Sequence, residues 1–180
     1  MMTSVSIVRE KETGTMEILL ASPVRPLFVV LSKTVPYLLL CFLDVCLVLV
    51  VATQVLDMPI RGSLALLLAE SVLFILTALS MGLLISTRAA TQQVAMFISL
   101  VGLLMPTLVF SGYMFPIENM PYPLQVVSNV VPTRWFYSIL RDVMVKGLDF
   151  SHVWQETLVL AGMCLFFLTV ALRNFNIRLS

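Results

Sequence analysis

Three carboxylates, Asp44, Glu70 and Glu156, stand inside long apolar runs of this 180-residue chain. An ionisable side chain in a lipid-spanning segment costs about 3 kcal/mol on insertion scales, so it faces a bundle interior or a water-filled cavity. Asp44, near the middle of its run, reads in two ways. It lines a pathway or an interhelical contact, or it is a protonated carboxyl hydrogen-bonded to a neighbouring helix. Glu70 is the second pathway candidate, but like Glu156 it lies near one end of its run, within reach of water. Arg134 and Arg141 are about two helical turns apart. They suit anchoring at lipid headgroups, or pairing with Glu118 or Asp142. No Ser/His/Asp or Cys/His arrangement stands out, so no catalysis is expected. His152 has no ligand partners in sequence, and Cys41, Cys46 and Cys164 sit in apolar runs without ligand spacing. The cysteines read as apolar fillers, and no metal or cofactor is expected in this chain.

The elements that hold these residues follow from the apolar runs. The chain is 59% hydrophobic and 12% charged, against about 25% charged in a soluble domain. Spans are expected at 34–56, 63–85, 94–115 and 153–172, each near the length that crosses a bilayer core. The fold class is all-α: a polytopic membrane helix bundle with four transmembrane helices. Pro36 and Pro106 fall inside the first and third spans, where each marks a kink. An even number of spans puts both termini on one side. That side collects Arg9, Lys11, Arg25, Lys33, Arg88, Arg173 and Arg178, and the other Arg61, Arg134, Arg141 and Lys146. The bias predicts cytoplasmic termini of a multi-pass membrane protein. A net charge of +1 gives no reason to expect nucleic acid.

The connections differ in kind. "DMPIRG", Asp57–Gly62, is a tight outer turn, and "STRAATQQ", Ser86–Gln93, a short polar inner loop. The third connection, 116–152, reads as outer interfacial or re-entrant helices. After Pro132 breaks an apolar stretch, "TRWFYSILRDVMVKG" puts Trp135, Phe136, Ile139, Leu140 and Val143 on one helical face. Thr133 is expected to cap that helix at its start and Gly147 at its end. Its aromatic edge suits the membrane interface.

"REKETGTMEILLASP", Arg9–Pro23, precedes the first span. Gly14 can serve as N-cap with Glu17 three residues on. Met16, Leu19 and Leu20 share a face, and Pro23 ends the helix after about two turns. So short a helix needs a surface to form on. It reads as a juxtamembrane anchor or as a protein-docking element, and the acids Glu10, Glu12 and Glu17 weaken a pure lipid anchor.

These residues resemble the cytoplasmic segment of ABC-2 type transporter permeases. The matching positions are Arg9, Glu10, Glu12, Gly14, Thr15, Glu17, Leu19, Leu20, Ser22 and Pro23. "FSGYMFPIENMPYPLQVVSNVVPTRWFYSILRDVMVKG", Phe110–Gly147, resembles the family's last outer connection, including Pro132, Thr133, Arg134 and Arg141. The resemblance implies a permease subunit of an ATP-driven ABC exporter, with residues 1–180 as part of its transmembrane domain. It implies that 9–23 is the coupling element seated on an ABC ATPase subunit. It also implies a second permease chain, identical or different, within the lipid bilayer. The chain carries no G-x-x-x-x-G-K-[ST] loop, so ATP and Mg are expected on the partner ATPase. Met1–Val8 resembles the stub of an earlier span, and two N-terminal spans with any outer domain are missing relative to the family pattern. The other readings of the sequence are a non-transporting membrane scaffold and a small ion-coupled carrier using Asp44.

Overall fold

Lipid offers the backbone no hydrogen-bond partners, so apolar runs must satisfy their own amides as helices. The computed structural model describes residues 26–177 and, ahead of them, Val5, Ser6, Val8, Arg9 and Glu12. Every regular element among these is helical. Helix α1 spans Pro26–Gln54 and α2 Leu64–Arg88. The third span is composite: α3 (Gln92–Ser99), a π-helical turn (Leu100–Leu104) and α4 (Met105–Phe110). A 3-10 turn (Ile117–Asn119), α5 (Tyr122–Ser128) and α6 (Pro132–Leu140) follow, and α6 runs on as a π turn, Arg141–Val145. Helix α7 is Phe150–Ile177. Among the described residues, four helices are long and apolar enough to cross a membrane: Thr34–Gln54, Leu64–Arg88, Gln92–Phe110 and Phe150–Asn174. The end of the bundle with the 89–91 turn is the near end; the end with the 111–149 connection is the far end.

Helix α2 is the hub, packed most heavily on α7 and also touching α1 and α6. Its buried face is rich in small and hydroxylated residues: Ser71, Thr77, Ser80, Gly82, Ser86 and Thr87. Each of these hydroxyls donates to a carbonyl three or four residues back, as Ser71 does to Leu67 at 2.7 Å and Thr77 to Leu73 at 2.8 Å. The hydroxyls are thus satisfied within α2, and small side chains let the neighbouring helix come close. Leu67 of α2, Ile139 and Val143 of the far-end helix, and Val153 and Leu160 of α7 form one fully buried cluster. Helix α1 is peripheral, with none of its most apolar window buried.

The third span differs from expectation at its end. It stops at Phe110, not residue 115, because Gly112 takes a left-handed φ of +83° and turns the chain back. A Cβ there would lie 3.1 Å from Ile117 Cδ1. The break expected at Pro106 takes the form of the π turn directly before it. A proline lacks the N–H that would bond the preceding turn, and its ring crowds that turn's carbonyl. A widened turn is one way to relieve both.

The far-end helix has the predicted apolar face, with Ile139 and Val143 fully buried. Phe136 stacks on Phe74 of α2, ring centroids 4.3 Å apart and planes 8° from parallel. Thr133 is not its cap. Val131 holds that position without a side-chain bond, and Pro132 stands in the first turn, where a missing N–H costs nothing. Gly147 does terminate the helix, at φ +71°. The Lys146 N–H donates to the Arg141 carbonyl and Leu148 N–H to that of Asp142.

The 57–63 turn docks on this helix end through main chain. Arg61 N–H donates to the Met144 carbonyl at 3.2 Å. A Cβ on Gly62 would meet the Val143 carbonyl oxygen at 2.4 Å. Gly62→Ala is therefore expected to destabilise the chain by about 1–3 kcal/mol. Gly162→Ala, where nothing lies within 4 Å, should be neutral or stabilising by up to about 1 kcal/mol. Thermal unfolding of both variants in detergent checks this, and equal midpoints would refute the docking.

Candidate functional site

Of the coupling candidates, Arg9 and Glu12 are described; Glu10, Gly14, Thr15, Glu17, Leu19, Leu20 and Pro23 lie outside the described residues. Glu12 reaches the first turn of α3. Its Oε1 accepts from the Gln92 backbone N–H at 3.0 Å, and its Oε2 accepts from the Gln92 side-chain amide. Thr91 caps the same helix end, its Oγ1 accepting from Val94 N–H at 3.3 Å. First-turn amides have no partner within their own helix, and the positive end of the helix dipole favours a carboxylate. Next to this clamp, Val8 is fully buried with Ala89 and Ala95. Charge and packing thus join the N-terminal segment to the start of the third span. Sequence reading took Ser86–Gln93 only as a polar loop. Thr91 ahead of an apolar run was a legible cap, whereas nothing local pointed from Gln92 to a residue 80 positions away.

At its far end the same span meets α6. The Thr107 and Thr133 hydroxyls lie 3.3 Å apart and share a hydrogen bond. A cavity of about 320 Å³ opens beside that contact, bounded by Phe74 and Ala78 of α2, Gly102 and Pro106 of the third span, and Pro132. One helical rod with a π turn at its middle therefore connects Glu12 to the far-end helix.

Glu70 does not reach water. It is 3% exposed and accepts from the Thr157 hydroxyl of α7 at 2.8 Å, because its face of α2 is the one turned onto α7. Glu156 is partly buried, and its Oε2 has no hydrogen-bond partner among the described residues. Asp44 sits on the exposed face of α1 among Leu40, Leu43, Leu47 and Val48, each at least 58% exposed. It is not in the interior of this bundle.

Arg134 forms neither expected ion pair. Its Nη1 donates to the Gln125 carbonyl at 3.2 Å and to Ser128 Oγ at 2.5 Å. Its guanidinium lies 5.4 Å from the centre of the Trp135 ring, and Trp135 Nε1–H donates to the Asn129 carbonyl. Burial pulls the Arg134 pKa below its ordinary value. Arg141 does approach Asp142, at 3.8 Å, but Lys146 holds the same oxygen at 2.6 Å. Among the described residues no group of three His, Cys, Asp or Glu could hold a metal ion.

Four crossing helices, a charged segment clamped to one of them and a folded far-end connection define a multi-pass membrane protein built around helix–helix contacts. The chain belongs to the ABC-2 transporter family: residues 1–173 match the family described as "ABC-2 family transporter protein". It is 36% identical over 154 residues to the "Probable multidrug ABC transporter permease YbhR" of Escherichia coli K12, covering 86% of this chain and 42% of that protein. It is 38% identical over 146 residues to YbhS of the same strain, a protein of the same description, covering 81% of this chain and 39% of the relative. "ABC transporter G family member 20" of Dictyostelium discoideum is 31% identical over 176 residues, 97% of this chain and 24% of its own length. The chain thus spans less than half the length of these relatives. No solved structure matches it.

The buried Glu70–Thr157 contact gives a direct test. Glu70→Gln keeps an acceptor for Thr157 and should leave stability unchanged. Glu70→Ala should cost about 1–2 kcal/mol, from one interhelical hydrogen bond and lost packing. Thermal unfolding in detergent reads both; a Gln variant as unstable as the Ala variant would show that the charge itself is needed.

Proposed function

We propose that this chain works in an ATP-driven exporter, with ATP and Mg bound by a separate ATPase subunit and a second permease chain, identical or different, completing the pathway. Its termini face the cytoplasm and it resides in the inner (plasma) membrane. The observation that carries the reading is the Glu12–Gln92 clamp. An element seated on the ATPase moves with ATP binding and release. Through Glu12 that movement pulls the first turn of α3, and the third span delivers it to α6 at the Thr107–Thr133 contact. The widened turn at Leu100–Leu104 is where the rod can change angle. Cargo of mixed, largely apolar character, as the word "multidrug" in the relatives' descriptions suggests, suits the apolar surface. The exposed position of Asp44 speaks against a single-chain ion-coupled carrier, and it suits a face that meets another helix.

Glu12→Ala, co-expressed with the ATPase, should lower transport per ATP hydrolysed by about tenfold, the worth of one charge-assisted hydrogen bond. ATPase co-purification should be retained. An unchanged transport-to-hydrolysis ratio would remove the clamp from the mechanism. Leu19→Asp with Leu20→Asp should instead lower co-purification of the ATPase while the chain still inserts, read by pull-down from solubilised membranes.

A further inference from the structure

Two arginines that could each have stood alone converge on one far-end cavity. The cavity has a volume of about 560 Å³ and is lined by Arg134, Arg141, Tyr137 and Ser138 of the far-end helix, with Tyr113 and Glu118 from the segment before it. Its shape is built into the backbone. Gly112 turns the chain so that the 3-10 segment folds back over the helix, and Tyr113 meets Tyr137 edge-on with ring centroids 6.0 Å apart.

The arginines are positioned but not spent. Both hydrogen bonds of Arg134 leave from Nη1, and its remaining N–H groups make none among the described residues. Among the described residues Arg141 has only the 3.8 Å approach to Asp142, and its side chain is 55% exposed. Among the described residues no ion pair joins Glu118 to either arginine. Two fixed positive charges and one negative leave the lining with a net charge of about +1. A guanidinium presents N–H groups in a planar fork that matches phosphate oxygens. The depth is also informative. Tyr113, Phe115 and Tyr122 are more than half exposed around this end, as aromatic side chains are at the headgroup level of a bilayer.

We propose that this cavity binds a phosphodiester with a net charge of −1 and no compensating cation, with Arg134 and Arg141 on its phosphate and Tyr137 and Ser138 as hydroxyl partners. An anionic phospholipid headgroup and a soluble phosphodiester share that chemistry. The site does not depend on ATP-driven export and would be present in a chain that transports nothing.

The test places the full chain in nanodiscs of equimolar phosphatidylglycerol and phosphatidylcholine and counts the lipids retained by native mass spectrometry. Phosphatidylglycerol should be favoured by about fivefold, the worth of one net basic charge near the surface. Arg141→Gln, at an exposed position, should abolish the preference. Arg134→Lys keeps a cation to hold the fold but loses the fork, and should reduce it. Glu118→Gln should raise it by a similar factor. Adding deacylated headgroup, glycerophosphoglycerol, separates the sources: displacement of the retained lipid means the phosphodiester alone suffices, and persistence means the acyl chains are required. Equal retention of the two lipids by the unmodified chain, or an Arg141→Gln ratio equal to it, overturns the proposal.

Discussion

The packing of α2 on α7 is the interaction on which the rest of the bundle depends. Lipid is as apolar as leucine, so apolar side chains alone give two spans little reason to associate. Close approach and polar contacts must supply it. Helix α2 meets both needs with small residues whose hydroxyls bond to its own carbonyls and with one carboxylate that reaches across to Thr157. With that pair in place, α6 can lay Ile139 and Val143 against both helices. Helix α1 stays at the periphery, with none of its most apolar window buried.

The third span is held differently. Only 11% of its most apolar window is buried, yet it is tied at its start by Glu12 and Thr91 and near its end by Thr107. Between those ties lie the π turn and Pro106. Dense packing would lock such a helix in one arrangement. Sparse packing within the chain, with both ends tied, sets this span apart from the α2–α7 pair.

Much of the architecture was legible in the chain. Four long apolar runs separated by charged or Gly/Pro-bearing turns could fold only as four crossing helices. The apolar face around Ile139 and Val143 followed from 3.6-residue periodicity, and Gly147 marked its end. What escaped the sequence depends on tertiary contact. The end of the third span is fixed by one left-handed glycine, Gly112, inside an apolar stretch that reads as continuous helix. Thr133 looked like a cap, but Pro132 leaves that position no need of one, and its hydroxyl went to Thr107. Glu70 looked close enough to the span end to meet water; which neighbour covers that face of α2 is not a local property. Ahead of the first span, the clamp made by Glu12 joins residues 80 apart, and no periodicity connects them.

The 57–63 turn meets the far-end helix by main-chain groups and by two places where a side chain is missing, Gly62 and Gly147. Such a joint is written in absences. Relatives could exchange side chains of the turn and still keep these main-chain contacts. Sequence drift along Asp57–Ile60 would therefore say little about shared architecture, whereas the glycine pair would be the durable mark of common descent at this end of the molecule.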